Sequence, residues 1–191
     1  MQQTLTLTPP PPTPQLSGIN SSNIQVIKRN GLKANLDISK IRSVVQWACA
    51  NLDVNPIELE AGLNTRLRDG VTTRDIQDNL IHCALEMCSP DEPEWRYVAG
   101  RLHIWGVWKD TLVKRGYQYG NYPKTVQMKV AANQYDDRIL TYTNAELEEA
   151  GSWINTDWDT DYDFAGAVLL SKRYLLPAEL PQEAFLTCAL L

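Results

Sequence analysis

A chain of 191 residues that is 43% hydrophobic and 21% charged can bury a core, which excludes wholesale disorder. Its net charge of −5 excludes a general nucleic-acid binder with a broad basic surface, yet leaves room for a local cationic pocket. No apolar run is long enough to span a membrane, no signal peptide is read, and Cys49, Cys83, Cys88 and Cys188 form no C-x-x-C pair. A reducing cytoplasm is therefore the expected setting, with the cysteines serving as small buried hydrophobes.

Residues 1–22 form a polar leader in which Pro9 to Pro12 and Pro14 favour extended polyproline, and a disordered tail is expected there. Residues 23–115 read as one unit. Val26 and Ile27 begin a strand, Asn30-Gly31 signals a hairpin turn with both residues at positive φ, and the chain returns through Leu32 to Leu36. Asp37 caps a helix to about Leu52 that carries Ile38, Ile41, Val45 and Ala48 on one face. Asn55-Pro56 starts a second helix with Ile57, Leu59, Leu63 and Leu67. Val71 suits a short third strand, and Thr72 with Asp75 has the spacing of a capping box before a helix carrying Ile76, Leu80, Cys83, Ala84 and Met87. A fourth helix runs from about Glu92 to Lys114, with Trp95, Val98, Leu102 and Trp105 as a stripe that reads as core, and Gly116 stops it. The sum is four helices with a small sheet across one end.

Residues 116–191 are expected to be helical: from Pro123 to about Asn133, Asn144 to Ile154, Tyr162 to Tyr174, and from Gln182 onward. The last of these carries Phe185, Leu186, Ala189, Leu190 and Leu191 as its apolar face. Asp157, Asp159, Asp161 and Asp163 alternate as at the start of a calcium loop, but Tyr162 stands where the turn needs glycine and Val168 where a bidentate glutamate belongs. A solvated, helix-capping acidic loop is the expectation.

Lys28, Arg29 and Lys40 lie close to the hairpin turn or to the first helix's N-terminus, beside free backbone N–H groups, which makes a seat for phosphate. The same Lys-Arg pair also suits a solvated strand edge that discourages edge-to-edge pairing. Both readings stand on these residues alone.

Lys28-Arg29-Asn30-Gly31, Lys40-Ile41 and Gly70-Val71-Thr72-Thr73 together resemble the ATP-cone, the N-terminal allosteric module of ribonucleotide reductase large subunits. Tyr97 to Leu102 is similar to the family's last cone helix. Tyr135-Asp136, Ile139-Leu140, Tyr142, Asp163 to Gly166, Tyr174-Leu175 and Pro181 to Phe185 resemble the helical lead-in to the catalytic barrel of aerobic, class I reductases. The resemblance implies a mostly α fold: a four-helix bundle capped by a small three-stranded sheet over 23–115, then a helical segment of the barrel domain over 116–191. It implies ATP or dATP as allosteric effectors, with Mg2+ accompanying the nucleotide and no metal site in the chain itself. By position, Val26 would pack near the adenine, and Lys28, Arg29 and Lys40 would face the phosphates. Asp37 would sit near the nucleoside, Thr73 would offer hydroxyl or backbone donors, and Lys109 would make a further phosphate contact. Gln77 and Gly106 stand where many or some cones carry histidine. The implied partners are the remainder of the large subunit, a radical-generating small subunit and a second copy of the chain, with no nucleic acid and no membrane.

The family's radical cysteine, redox cysteine pair and catalytic glutamate match no residue here, so the chain by itself is expected to be inactive. No Walker-type glycine loop is present, so hydrolysis of the nucleotide is not expected either. Two other readings compete: a non-catalytic nucleotide-sensing ATP-cone protein, and a structural helical domain whose cone is degenerate.

Overall fold

In the computed structural model, which describes residues 24–191, β1 (Gln25–Ile27) and β2 (Lys33–Asn35) pair antiparallel with Val26 opposite Ala34. The proline-rich leader lies outside the described residues. The turn differs from the expected one. Gly31 has φ +80°, Asn30 has no positive φ, the Gly31 N–H donates to the Lys28 carbonyl, and the Lys28 N–H donates to the Leu32 carbonyl. This is a three-residue loop with glycine in the left-handed position, so only one residue needs that conformation. Asn30 contributes its side chain instead, accepting the Leu32 N–H.

β3 (Val71–Thr72) joins β1 on the other edge, in parallel, so the sheet order is β2-β1-β3 and Val26 lies buried at its centre. Helix α1 (Ile38–Cys49) starts at the Asp37 cap and buries Ile41, Val45 and Ala48, as its periodicity predicts. It ends at Cys49, short of Leu52. Helix α2 (Pro56–Asn64) follows the Asn55 cap and buries Leu59 and Leu63, while Leu67 falls beyond its end. Helix α3 (Thr73–Met87) opens on the full Thr72–Asp75 capping box. Helix α4 (Trp95–Arg115) terminates at Gly116, φ +79°. These four helices and the sheet enclose one core, in which Trp95, Val98 and Leu102 of α4 meet Ile76, Leu80 and Ala84 of α3.

The rest of the described chain packs along α4, from Gly100 against the segment before α7 to Arg115 against α8. Helix α5 (Tyr122–Ala131), a 3-10 turn (Asp137–Thr141) and α6 (Asn144–Ser152) gather Tyr122, Val126, Tyr135, Ile139 and Leu147 into a second core. Helix α7 (Phe164–Leu169) passes into a π-helical turn (Leu170–Tyr174), which replaces the single continuous helix expected to start at Tyr162. Helix α8 (Pro181–Leu190) closes the described chain. No helix among the described residues is long and apolar enough to cross a membrane.

Three expectations are overturned here. The acidic loop is not wholly solvated. Asp163 does cap α7, but Asp159 is fully buried, with its carboxylate accepting the Trp108 indole N–H (3.0 Å), the Tyr119 hydroxyl (2.6 Å) and the Gln182 amide (2.9 Å). Burial pushes its carboxyl up, and the three donors pull it back. Helix α8 turns only part of its expected apolar face inward: Leu186 and Leu190 pack on the second core, but Phe185, Ala189 and Leu191 are exposed, and Gln182, Glu183 and Thr187 are buried beside them. The reason is a polar interior. Glu183 pairs with Arg115 (2.8 Å), and both side chains are 1% exposed. Among the cysteines, Cys49 and Cys83 are buried, but Cys88 lies just past the end of α3 and Cys188 on the outward side of α8, both exposed.

The close approach of α4 to the segment before α7 depends on Gly100. A Cβ there would lie 2.2 Å from the Tyr162 carbonyl oxygen and 2.8 Å from the Asp163 carbonyl carbon. Both are backbone atoms, so neither can swing away. Gly100→Ala is expected to destabilise the fold by about 1–3 kcal/mol, read as a lower denaturant midpoint. At an uncrowded helix position the same change stabilises by about 1 kcal/mol, so the sign of the effect reports the contact.

Candidate functional site

A cavity of about 320 Å³ opens between the hairpin, the N-terminal halves of α1 and α3, and the middle of α4. That volume falls at the lower end for small-molecule sites. Its apolar floor is Val26, Leu36, Ile41, Val44, Ile76, Leu80 and Trp105; its polar wall is Lys28, Arg29, Asn35, Asp37, Lys40, Thr73 and Gln77.

Six of the sequence-derived residues therefore share one hollow: Val26, Lys28, Arg29, Asp37, Lys40 and Thr73. The adjacency of Lys28 and Arg29, which on a pleated strand would send them to opposite faces, is resolved by the strand ending at Ile27. Arg29 then belongs to the three-residue loop, where alternation no longer applies, and Lys28 is the residue that closes that loop onto Leu32. Lys109 does not line the cavity. Its ammonium lies 4.4 Å from the Trp105 ring centroid, and burial and then the charge of Arg29 lower its pKa.

Each cation is held differently. The Arg29 Nε donates to Asp110 Oδ1 (2.9 Å) and its Nη2 donates to Gln77 Oε1 (2.6 Å). Gln77 is fixed in turn by donating to the Leu102 carbonyl (2.7 Å). Gly106 leaves the room that Gln77 fills, since a Cβ at Gly106 would lie 2.2 Å from Gln77 Nε2. The two departures from the histidine pattern are thus one packed pair. Lys40 lies 3.2 Å from Asp37 in an exposed pair. The Asp37 carboxyl is held below its usual range by the Ser39 hydroxyl above all, and by Lys40. Lys28 is exposed at the rim.

Two helix N-termini border the hollow, α1 through Asp37 and Lys40, and α3 through Thr73. Their first-turn N–H groups and the three cations favour an anion, while the apolar floor favours a flat, weakly polar group. Trp105 was not legible as a site residue. It continues the 95–98–102 stripe, so periodicity assigns it to the core. In the structure the stripe runs past the core and emerges at the cavity, where Trp105 packs on Trp47 at a centroid distance of 5.3 Å.

This geometry coincides with a recognised domain. Residues 24–109 match the ATP cone domain family, a nucleotide-effector module. The chain is also 72% identical over 168 residues to the ribonucleoside-diphosphate reductase subunit alpha of Synechocystis sp., an alignment that covers 88% of this chain and 22% of that protein. It is 33% identical to the corresponding subunit of Enterobacteria phage T4 and 28% identical to ribonucleoside-diphosphate reductase 1 subunit alpha of Escherichia coli, covering in each case 86% of this chain and 22% of the relative. The chain belongs to the ribonucleoside-diphosphate reductase alpha-subunit family, matching its nucleotide-sensing amino-terminal region. It spans about 22% of the length of the curated relatives it matches.

Proposed function

We propose that the cavity takes an adenine nucleoside triphosphate, ATP or dATP, as a regulatory signal. The observation that carries this reading is the gathering of Lys28, Arg29 and Lys40 on the wall of one hollow with an apolar floor, beside two helix N-termini. The triphosphate, with its Mg2+, sits against the three cations through charge-assisted bonds, with Thr73 at the start of α3 as a further donor. The base lies over Val26 and the apolar floor, the ribose lies near Asp37, and Lys109 reaches the phosphates only if its side chain leaves Trp105. Residues 23–115 serve as the sensing unit and 116–191 as the lead-in to the catalytic domain.

The reading extends to the assembly. The relatives are reductase alpha subunits, so the regulated activity is reduction of ribonucleoside diphosphates to deoxyribonucleotides. It is carried out by the rest of the large subunit with a radical-generating small subunit in a homo-oligomeric complex. The exposed Trp153, Trp158, Leu169, Tyr174 and Phe185 give the remainder of the large subunit an apolar surface to cover. A cytoplasmic setting accompanies this role.

Thermal unfolding tests the reading. ATP or dATP at about 100 times its dissociation constant stabilises a protein that binds it only when folded by about 2.7 kcal/mol, a shift of several degrees in a domain of this size. Unchanged melting in millimolar ATP and in millimolar dATP would contradict it.

A further inference from the structure

We infer that Asp110 is a positioning residue for the nucleotide site: it does not line the cavity, but it sets the direction in which Arg29 offers its guanidinium. The inference rests on the nucleotide reading above and assigns a role to a residue behind the wall.

The argument begins with the guanidinium fork. Arginine has five N–H donors in fixed directions. In Arg29 the edge formed by Nε and Nη2 is already engaged, Nε by Asp110 Oδ1 and Nη2 by Gln77 Oε1. The two N–H groups of Nη1 and the second of Nη2 remain for a ligand, and they form the outer edge of the fork. That edge matches two phosphate oxygens at once. With its inner edge pinned, the side chain has little rotamer freedom left to lose when an anion arrives. Arg29 is only 17% exposed, as suits a group held before the ligand comes.

A carboxylate so close to an anion site needs an explanation, because its charge opposes the ligand. Arg74 supplies one. Its Nη2 donates to the same Asp110 Oδ1 that Arg29 uses, also at 2.9 Å. Two arginines on one carboxylate leave the trio with a net positive charge. Asp110 thus orients Arg29 without cancelling it, and Arg74 offsets the repulsion.

A competing account makes Asp110 a plain counter-ion, displaced when phosphate binds. The two accounts predict opposite signs. The test is isothermal titration of ATP into the full chain and its variants at fixed salt, with melting in the absence of nucleotide as a check on folding. Asp110→Ala is expected to bind ATP about tenfold more weakly. Asp110→Asn keeps an acceptor for Arg29 and is expected to stay within about twofold of the parent. In an Arg29→Ala background, Asp110→Ala is expected to change nothing further, because the residue it orients is gone. Tighter or unchanged binding by Asp110→Ala would overturn the inference. So would an Asn variant as weak as the Ala variant, or a loss that persists without Arg29. A parent chain that binds no ATP would remove the nucleotide reading itself, and this inference with it.

Discussion

Glu183→Ala is expected to cost about 3–5 kcal/mol of folding stability, measured as a fall in the urea or thermal midpoint of the whole chain. The wild-type carboxylate is enclosed, and burial pushes its pKa up against the pull of Arg115. Its two oxygens accept the Arg115 Nη1 and Nη2, each at 2.8 Å, and also the Thr125 hydroxyl and the Leu180 N–H. Truncation leaves the Arg115 charge without its counter-ion. Carbonyls of Tyr117, Gln118 and Ala178 still accept from it, but none carries a compensating charge. Replacing both members, as in Arg115→Met with Glu183→Leu, is expected to cost much less than Glu183→Ala alone, since two apolar groups have no desolvation to recover. Equal losses in the single and double variants would show that the packing at this junction matters, and the charges do not.

Arg29→Ala is expected to weaken ATP binding about 10- to 100-fold, the range for losing hydrogen bonds to a charged group, with a much smaller effect on stability without nucleotide. The stability effect stays small because Asp110 keeps Arg74 and Gln77 keeps the Leu102 carbonyl. Arg29→Lys is expected to recover little, because an ammonium cannot hold Asp110 and Gln77 while presenting a planar edge to phosphate. Lys40→Ala provides the contrast. Its side chain is 78% exposed and already paired with Asp37, so a smaller loss is expected. Titration calorimetry on the three variants ranks them; a larger effect at Lys40 than at Arg29 would contradict the assigned geometry.

What the sequence disclosed follows from the range of the interactions involved. The hairpin, the Asp37, Asn55 and Thr72 caps and the Gly116 stop are decided within four or five residues, and all are found in place. The gathering of Lys28, Arg29 and Lys40 was also readable, because a hairpin feeding directly into a helix brings its turn and that helix's first turn together. The errors concern partners far away in the chain. Asp159 looked like one of four alternating surface acids; its burial depends on Trp108, Tyr119 and Gln182, drawn from three other segments. Periodicity picks out Leu186 and Leu190 as inward residues of α8 but not Glu183 beside them, because its partner Arg115 lies 68 residues away. Trp105 packs against a core cluster, as its stripe predicts, and also lines the cavity, which periodicity does not reveal. Gln77 and Gly106 are 29 positions apart in the sequence, and that the amide of one occupies the space left by the other is a tertiary fact.

The most direct test of the central claim is a crystal structure of the chain with ATP bound. The account predicts the triphosphate within hydrogen-bonding distance of Lys28, Arg29 and Lys40, and the adenine against Val26 in the hollow between the hairpin, α1 and α3. Nucleotide found at another surface, with this cavity holding only water, would contradict it.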